Sequence, residues 1–572
     1  MNELPWEASY PEGVPWNAEL PQTSACTLLD DAVRQWPDRH AIDFMGRKIG
    51  YKELSDLVDQ AAAGFQKLGV QPGVHVGLYL PNTPQYVISF FGVLRAGGTV
   101  VNYSPLDAES VLTHKVEDSA TDILVTLDLA ALYANMRPLL GKSRLKWLVI
   151  GTVGDFSADP EAVNRRMSAS GATAPAQPHA QQIGFLDLLH NDGQPRAWAV
   201  KDPTKMLAVL QYTGGTTGLP KGAMLTHANL TAATEQVRLI ASLNGRLLQA
   251  GAERTLVVLP LFHIYAMTVN MLLSMKIGAE MVLCIRFDPG TVLQDIARHR
   301  ITFFPGVPTM FTALVAHPDI EKHDLRSLKT CSAAGAPPPV ELLKRFEQLT
   351  GCLLTEGWGM TETSSMGTFT PGVGRRKPGS CGMPVPGVML RFLDLDDSQR
   401  DAAAGSRGEI AIKGLNVMTG YWNQPQATAE SFTSDGYFRT GDVGFMDEDG
   451  FVFIVDRTKD MLLCGGFNVY PRVIEEAIYE HPQVEEVLVI GIDDAYRGQS
   501  PKAFIKLRAS ADTLTLEALK EFLKPRLGKH EMIHAMELRT DLPKTAIGKL
   551  SKKMLKDEIA AAAHGSPQRS HA

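Results

Sequence analysis

The sequence predicts an α/β protein: a large N-terminal domain of βαβ-type sheets covered by helices, followed by a small α+β domain. Three observations lead to this prediction. At 572 residues the chain is too long for a single hydrophobic core. Short β-branched runs alternate with longer helical runs over roughly residues 40–400. Near residue 440 this alternation gives way to a denser mixture of short strands and helices.

In the N-terminal part, apolar runs of strand length are separated by helical runs. The run VHVGLYL (74–80) predicts a buried strand, TPQYVISFFGVLRAG a helix, and TVVNY a second strand. The same order returns at 255–261, 266–277 and 279–285. Such repeats are typical of βαβ units and a mostly parallel sheet. Residues 154–182 are rich in Ala, Pro, Gly, Ser and Gln, and they predict an exposed loop.

The C-terminal part begins around the charged turn DRTKD. Strands are predicted at FVFIV (451–455) and MLLC (461–464) on either side of that turn. The remaining predicted elements are the helix PRVIEEAIYEH with Pro471 in its first turn, the strands VEEVLVIGI and PKAFIKLRA, the helix TLEALKEFLKPRL and a last helix near KLSKKMLKDEIAAAA. We therefore predict domains at 1–456 and 457–572, with HGSPQRSHA as a disordered tail.

Composition narrows the class of protein. The net charge of −7, from 56 basic and 63 acidic residues, gives no reason to expect a nucleic-acid partner. Six scattered cysteines without a CxxC pair predict reduced thiols in a cytoplasmic protein. Neither a signal peptide nor an apolar run of 18 residues is present, while peripheral membrane contact stays an open alternative. For Trp6 and Trp16 we favour packing on the folded body over an interfacial role.

The segment YTGGTTGLPKGAMLTHANL, Tyr212–Leu230, carries the first chemical signal. Glycines allow backbone N–H groups to approach an anion, hydroxyls donate hydrogen bonds, and a lysine adds charge. The loop lacks Walker A spacing, and a plain surface turn would need fewer glycines. It follows a strand-like run and precedes a helix capped by Thr226 or Asn229. The predicted phosphate-binding residues are Thr213, Gly214, Gly215, Thr216, Thr217, Gly218 and Lys221.

Three further stretches carry polar groups suited to a nucleotide. In TEGWGMTETSSMG (355–367), the pair Thr361-Glu362 supplies a hydroxyl and a carboxylate for Mg²⁺, and Trp358 offers a flat face to a purine, although a buried tryptophan is an equal alternative. Asp442 and Arg457 suit ribose hydroxyls, although a lone aspartate between glycines is more often a turn residue. Lys549 follows Gly548 in a basic cluster whose other lysines are predicted to be solvated.

With these residues in view, the chain resembles the adenylate-forming enzymes: acyl-CoA synthetases, firefly luciferase and peptide-synthetase adenylation domains. The resemblance covers residues from about 25 to 560, and its wording is nearest to fatty-acid–CoA ligases. Trp358 departs from the family by replacing a common tyrosine. The matching motifs, in order, are YTGGTTGLPKG, SAAGAPPP (332–339), GWGMTET, GEIAIKGLNVMTGYW (408–422), YFRTGDVG, DRTKDMLLCGGFNVYP and LPKTAIGK.

The resemblance implies ATP, Mg²⁺ and CoA as cofactors and assigns roles to the motif residues. The glycine loop would hold the β and γ phosphates, Thr361 the α-phosphate and Glu362 the magnesium ion. Lys549 would bridge the carboxylate and the α-phosphate. The adenine would lie among Gly335, Ala336, Pro337, Trp358 and Gly359, with Asp442 and Arg457 on the ribose.

The same resemblance implies a second half-reaction, attack of the CoA thiol on an acyl-AMP. Family members rotate a mobile C-terminal domain between the two steps. The hinge would be Lys459, and Gly465, Gly466 and Phe467 would line the channel for CoA. A lysine acetyltransferase acting on Lys549 would silence the first step by removing its charge.

The acid itself is the least defined part. The pocket walls would come from 260–268 and 303–310, with His263 at the carboxylate entrance or as a core histidine. Small, uncharged walls favour a medium- or long-chain fatty acid. A dicarboxylic (pimelate-like) or aryl acid, and transfer to a carrier-protein thiol, remain alternatives. A protein that only binds acyl-AMP or CoA is disfavoured because Glu362 and Lys549 are both kept.

Overall fold

The computed structural model describes residues 4–174, 179–213, 220–336, 338–464, 467–494, 496–509, 511, 513–545 and 548–564. Its strands are β1 His40–Phe44, β2 Arg47–Gly50, β3 His75–Leu78, β4 Thr99–Asn102, β5 Thr121–Leu127, β6 Trp147–Gly151, β7 Gln182–Gly184, β8 Leu207–Thr213, β9 Lys221–Thr226, β10 Arg254–Val257, β11 Glu280–Leu283, β12 Phe303–Gly306, β13 Thr330–Ala334, β14 Leu354–Trp358, β15 Thr368–Phe369, β16 Met383–Pro384, β17 Met389–Leu393, β18 Gly408–Lys413, β19 Phe438–Met446, β20 Val452–Arg457, β21 Leu462–Cys464, β22 Phe467–Val469, β23 Val484–Asp494, β24 Gly498–Leu507 and β25 Ala535–Leu538.

The helices follow the predicted alternation with the strands. They are α1 Cys26–Gln35, α2 Tyr51–Lys67, α3 Pro84–Arg95, α4 Glu109–Asp118, α5 Ala130–Met136, α6 Pro160–Ala169, α7 Phe185–Leu189, α8 His227–Ala241, α9 Leu273–Ile277, α10 Pro289–His299, α11 Pro308–Val315, α12 Val340–Thr350, α13 Pro425–Glu430, α14 Pro471–Tyr479, α15 Leu516–Leu523 and α16 Lys552–His564. A π-helix, Ala266–Leu272, runs directly into α9. Short 3₁₀ turns occupy Glu7–Ser9, Arg137–Leu139, Val153–Phe156, Ile320–Lys322 and Thr361–Thr363.

Two large sheets form the N-terminal part. One has the order β7-β6-β5-β3-β4-β8-β9 and is parallel except for its last strand, β9. The other has the order β16-β15-β14-β13-β12-β10-β11-β1-β2, and its strands from β14 to β1 are parallel. The predicted α/β class with mostly parallel sheets is confirmed.

One hydrophobic core joins the two large sheets. Helix α3, which is buried on every side, supplies Phe90 and Phe91 to this core. Asn82, which follows β3, donates through Nδ2 to the carbonyl oxygens of Val257, at the end of β10, and Leu259, at 3.1 and 3.0 Å. A buried amide that satisfies backbone groups of the other sheet fixes the two sheets against each other.

Two smaller sheets follow the large ones, and the C-terminal part has a separate core. Strands β17-β18-β19-β20 form a sheet that precedes the predicted boundary, and β22-β21-β24-β23, with β25 on β24, form the sheet of the C-terminal part. Buried residues between Leu462 and Ile533 make a second apolar core. The predicted strands and helices of this part are present. The domain boundary at 456/457 falls at the end of β20 and stays a prediction.

Two expectations about exposed segments have different outcomes. The predicted loop at 154–182 is wrong in part, because it contains α6. Asp159 accepts a hydrogen bond from the Ala162 N–H, and Pro160 occupies the first turn, so a local helix start outweighs the composition. Trp6 is buried and packs against Trp16, Met383 and Phe451, as favoured. Of the predicted tail HGSPQRSHA, His564 is the last residue of α16, and residues 565–572 lie outside the described residues.

Candidate active site

The glycine loop connects two neighbouring strands of the seven-stranded sheet. Thr213, at the end of β8, pairs in antiparallel register with Lys221, at the start of β9. The loop residues Gly214, Gly215, Thr216, Thr217 and Gly218 lie outside the described residues. After the loop, Thr226 caps α8 by accepting from the Asn229 N–H, which decides between the two predicted caps. The two residues that flank the described gap, Thr213 and Lys221, are therefore paired with each other, and one of them is a lysine.

Glu362 lies in the 3₁₀ turn Thr361–Thr363, just beyond β14. Its side chain is buried, and its Oε1 accepts a hydrogen bond from the Tyr421 hydroxyl at 2.8 Å. Burial raises the pKa of the Glu362 carboxyl, while the Tyr421 bond and the Arg457 charge oppose that rise. The backbone carbonyl of Glu362 also accepts from the Met418 N–H at 2.7 Å. Glu362 is thus fixed through both its side chain and its backbone.

Tyr421 is a site residue that the sequence did not single out. Its ring lies under the ammonium group of Lys221, with 5.0 Å between Nζ and the ring centroid. Tyr421 forms an isolated bridge with Ala223, and the neighbouring Trp422 N–H donates to the Gly222 carbonyl at 2.8 Å. The end of the GEIAIKGLNVMTGYW motif therefore lies along β9 and links the lysine after the glycine loop to Glu362.

Trp358, Asp442 and Arg457 meet in one hydrogen-bonded group. Asp442 on β19 and Arg457 on β20 are register partners, and Arg457 Nε donates to Asp442 Oδ1 at 3.1 Å. The indole Nε1 of Trp358 donates to Asp442 Oδ2 at 2.7 Å. The attraction of Asp442 raises the pKa of Arg457. We call Trp358, Glu362, Tyr421, Asp442 and Arg457 the nucleotide edge.

Lys549 reaches this edge from the far end of the chain. We call residues 548–551 the lysine segment. It precedes α16, so the prediction that the last helix starts at Lys549 is wrong. Thr309 Oγ1 donates to the Gly548 carbonyl at 2.7 Å. Burial, followed by repulsion from Arg457, lowers the pKa of Lys549 to about 8, against the attraction of Asp442.

Gly335 provides the space that the Lys549 side chain needs. Its φ is +91°, and a Cβ built on Gly335 would come within 2.3 Å of Lys549 Cε. Ala336 follows it in the same turn, and Pro337 lies outside the described residues. A side chain at position 335 would be strained by its backbone conformation and would also collide with the lysine stem.

His263 lies close enough to Lys549 for the lysine charge to affect its pKa. Burial, together with the Lys549 charge, lowers the pKa of His263 to about 3, so the imidazole is neutral near pH 7. Its Nδ1 accepts from the Tyr265 N–H at 3.2 Å, which leaves Nε2 to carry the proton. A neutral imidazole in this position can donate one hydrogen bond to a carboxylate without adding charge.

The remaining residues that the sequence predicted for the site have different surroundings. Gly359 is required by a tight turn, because a Cβ there would come within 1.9 Å of the Ser365 carbonyl oxygen. Lys459 is an exposed residue in the turn after β20, where partial desolvation of its ammonium, followed by repulsion from Arg457, lowers its pKa. Phe467 is exposed on β22, where its ring contacts His530 rather than the nucleotide edge. Gly465 and Gly466 lie outside the described residues.

The donor set suits a magnesium ion that is shared with phosphate. In the part of the chain that the structure describes, no three His, Cys, Asp or Glu side chains form a metal-binding group. Mg²⁺ typically binds through one or two protein carboxylates and keeps waters and substrate oxygens as its other ligands. The buried carboxylate of Glu362, next in sequence to the hydroxyl of Thr361, fits that preference.

The fold and this cluster together define an enzyme that activates an acid with a nucleotide. A family model described as AMP-binding enzyme matches residues 29–422, and AMP-binding enzyme C-terminal domain matches residues 473–549. The chain therefore belongs to the AMP-binding enzyme family. The predicted domain boundary falls between the two matched ranges.

Individual relatives match nearly the whole chain. A long-chain-fatty-acid–CoA ligase of Bacillus subtilis (strain 168) is 39% identical over 562 residues, 98% of each chain. The enzyme of the same name from Escherichia coli O6:H1 is 35% identical over 559 residues, 97% of this chain and 98% of the relative. The resemblance to AMP-forming acyl-CoA synthetases is confirmed.

Two solved structures share the fold. The anthranilate CoA ligase AuaEII in complex with anthranoyl-AMP is 25% identical with a TM-score of 0.83, covering 95% of this chain and 99% of its own. ATP-bound MatB from Rhodopseudomonas palustris is 28% identical with a TM-score of 0.79, covering 94% of this chain and 99% of its own.

Proposed function

We propose that this protein is a long-chain fatty-acid–CoA ligase. It activates the acid with ATP to acyl-AMP and pyrophosphate, and then transfers the acyl group to CoA, releasing AMP. The observation that carries the proposal is the position of Lys549 over Gly335, beside Asp442 and Arg457. The long-chain ligases that match over the whole chain support the choice of acid. The aryl ligase among the structural neighbours keeps an aryl acid as the alternative.

In the first step an oxygen of the fatty carboxylate attacks the α-phosphorus, and pyrophosphate leaves. Negative charge grows on the non-bridging oxygens of the α-phosphate. The Lys549 ammonium and the Thr361 hydroxyl are the groups proposed to stabilise that charge, so catalysis rests on positioning and electrostatics. The glycine loop and Lys221 would hold the departing pyrophosphate. The neutral His263 would donate a hydrogen bond at the carboxylate entrance.

Glu362 would hold the magnesium ion, which supplies charge neutralisation on the phosphate oxygens when it is bound. Tyr421 keeps the Glu362 carboxylate in one orientation by its 2.8 Å hydrogen bond. Asp442 would accept the ribose hydroxyls, and the turn at Gly335 and Ala336 would receive the adenine with Trp358.

In the second step the CoA sulfur attacks the acyl carbonyl carbon, and AMP leaves with the electron pair of the anhydride bond. Phe467 is proposed to line the path of CoA, yet its ring contacts His530 and lies on a hairpin outside the nucleotide edge. A change of orientation around Lys459 would bring that hairpin to the acyl-AMP. The exposure of Lys459 in a turn after β20 supports it as the hinge.

Two proposals on partners follow from the same geometry. Because the Lys549 ammonium is buried, a lysine acetyltransferase could reach it only after the lysine segment leaves the site. Among the described residues, no helix is long and apolar enough to cross a bilayer. Cytoplasmic location with peripheral membrane contact stays a prediction, and the buried Trp6 does not supply such a contact.

The test is pyrophosphate release from ATP and Mg²⁺ with acids from butyrate to palmitate, plus pimelate and benzoate, with and without CoA. We expect the highest kcat/KM with long-chain acids, turnover that depends on CoA, and an acyl-CoA product by mass spectrometry. Preference for benzoate or pimelate would contradict the long-chain assignment. Single-turnover release that CoA fails to accelerate would point to another acceptor, such as a carrier-protein thiol.

A further inference from the structure

Asp442 is held at both of its carboxylate oxygens by side chains of the protein. Arg457 Nε donates to Oδ1 at 3.1 Å, and Trp358 Nε1 donates to Oδ2 at 2.7 Å. Asp442 is 5% exposed, so few waters compete for these bonds. Hydrogen bonds that a carboxylate accepts from an N–H are short and strong when they are shielded in this way.

The indole is placed for this bond by the strands around it. Trp358 ends β14 and is the register partner of Thr368 on β15. A Cβ on Gly367 would come within 2.5 Å of Trp358 Cε3, so the absence of a side chain at 367 makes room for the six-membered ring. The indole edge is therefore directed at Asp442 by backbone pairing and by a glycine, across 84 positions of sequence.

Within the described part of the chain, two acceptor positions on the Asp442 carboxylate are left over. An ionised carboxylate offers about four lone-pair sites, two on each oxygen. One site on Oδ1 is used by Arg457 and one on Oδ2 by Trp358. A donor on each oxygen leaves one further acceptor site on each. Two neighbouring acceptors on one rigid group match two neighbouring donors, which is the arrangement of a vicinal diol such as the ribose 2′- and 3′-hydroxyls.

We propose that Trp358 is a specificity-determining residue which orients Asp442 for a vicinal diol, so that the enzyme discriminates ribonucleotides from deoxyribonucleotides through an indole N–H. This inference rests on the proposed function, since it takes Asp442 as the ribose acceptor. The indole acts through its edge on the carboxylate, whatever its face does toward the adenine.

The experiment compares kcat/KM for pyrophosphate release with ATP, 2′-deoxy-ATP and 3′-deoxy-ATP. In the unmodified protein, removal of a hydroxyl should lower kcat/KM about 10- to 100-fold, the usual range for a hydrogen bond to a charged group. In Trp358→Phe the aromatic face stays and the N–H is lost. The ratio between ATP and the deoxynucleotides should then shrink to about threefold or less, because the carboxylate is held at one oxygen only.

The ratio of kcat/KM for ATP to kcat/KM for a deoxy-ATP, measured within one variant, does not depend on how much of the preparation is folded. A merely structural role for Trp358 would lower activity with all three nucleotides and leave the ratio unchanged, and that result would overturn the proposal. If Trp358→Phe is too unstable to assay, Trp358→Leu also lacks the N–H and should show the same collapse of the ratio.

The matched control is Trp422→Phe. Trp422 Nε1 donates to the backbone carbonyl of Asp118 at 2.9 Å, so this variant loses an indole hydrogen bond of similar length away from Asp442. Its ATP to deoxy-ATP ratio should equal that of the unmodified protein. A collapse of the ratio in the control as well would contradict a specific action of Trp358.

Calorimetric binding of AMP against 2′-deoxy-AMP and 3′-deoxy-AMP separates this inference from the proposed function. Failure to release pyrophosphate with any acid would remove the proposed function, yet the AMP preference and its loss in Trp358→Phe would stand. Normal pyrophosphate release with equal binding of all three nucleotides would remove the inference alone.

Discussion

Two regions meet at the candidate site and are held in place in different ways. The nucleotide edge is tied together by hydrogen bonds between its own side chains, from Tyr421 to Glu362 and from Trp358 and Arg457 to Asp442. Among the described residues, the lysine segment meets the site through a hydrogen bond from Thr309 and through the gap at Gly335, while its backbone is bonded to Pro543 and Thr545 just before it.

We expect the nucleotide edge to determine nucleotide binding and the lysine segment to act in adenylation only. A region whose side chains are tied to each other by hydrogen bonds keeps its shape, so changes in it should alter affinity in every step that uses the nucleotide. The lysine segment is bonded to Pro543 and Thr545 of its own part of the chain, so it can leave the nucleotide edge together with them. Changes in the lysine segment should therefore affect only the step for which it is in place.

The largest expected effect is that of Lys549→Ala. Removal of the ammonium takes one charge contact from the transition state of adenylation, which should lower single-turnover pyrophosphate release about 100- to 1,000-fold. Thioester formation from supplied acyl-AMP and CoA should stay within about threefold of normal, because the Lys549 charge is proposed to act on the α-phosphate in adenylation only.

Lys553→Ala is the control, because Lys553 is an exposed lysine on the neighbouring α16. Both half-reactions should be retained in it. Equal loss of both half-reactions in Lys549→Ala would show that the two regions act as one unit, and the comparison would fail.

The next effect concerns the gap that admits the lysine. Gly335→Ala introduces a Cβ at φ +91° and within 2.3 Å of Lys549 Cε. Exclusion of the lysine stem should lower adenylation about 10- to 100-fold, since a residue forced into the left-handed region costs about 1–2 kcal/mol before any clash. The second half-reaction should change little. Rapid-quench measurement of each half-reaction distinguishes the two.

Gly351→Ala provides the matched comparison. Gly351 has φ +69° after α12, and a Cβ there would meet nothing within 4 Å. It should lower the melting temperature through the same backbone strain and leave adenylation per folded molecule unchanged. If Gly351→Ala lowers adenylation as much as Gly335→Ala does, backbone strain rather than loss of the gap explains both.

The two regions also differ in how far sequence alone could describe them. The motifs pointed to Glu362, Asp442, Arg457 and Lys549, and the fold brings these together, although their roles stay predictions. Tyr421 was missed because its partner Glu362 lies 59 positions away, and no local pattern marks a tyrosine that will pair across strands.

Local sequence patterns were sufficient to predict most of the helices and strands, but the pattern that marks α6 was overlooked. The repeated strand and helix patterns predicted the parallel sheets because periodicity records which face is buried. The helix α6 was hidden in a stretch rich in small and polar residues, yet Asp159 followed by Pro160 is a helix start that could have been recognised. The order of strands within the sheets depends on long-range packing and could not be deduced.

The pH dependence of adenylation should follow the protonation of Lys549 in the lysine segment. Lys549 stabilises charge only when it is protonated, and burial with Arg457 lowers its pKa to about 8 in the free protein. Adenylation kcat/KM should be level below that pH and fall about tenfold per unit above it. The measurement is pyrophosphate release without CoA from pH 6.5 to 9.5. In Lys549→Arg the guanidinium stays charged, so the alkaline fall should disappear; its persistence would assign it to another group.

The smallest expected effect lies within the nucleotide edge. Tyr421→Phe keeps the ring under Lys221 and removes the hydroxyl that holds Glu362 Oε1. Loss of one hydrogen bond should raise the Mg²⁺ concentration for half-maximal binding of ATP about 2- to 10-fold, measured by calorimetry. Tyr51→Phe removes another buried hydroxyl, one that donates to the Ala279 carbonyl at 2.7 Å, and should lower stability without changing the Mg²⁺ dependence.

Tyr421 belongs to the nucleotide edge and not to the lysine segment. Tyr421→Phe should therefore slow both half-reactions wherever Mg²⁺ or nucleotide affinity limits their rates. A change confined to adenylation at saturating Mg²⁺ and ATP would instead join Tyr421 functionally to Lys549, and the two regions would no longer be separable by chemistry.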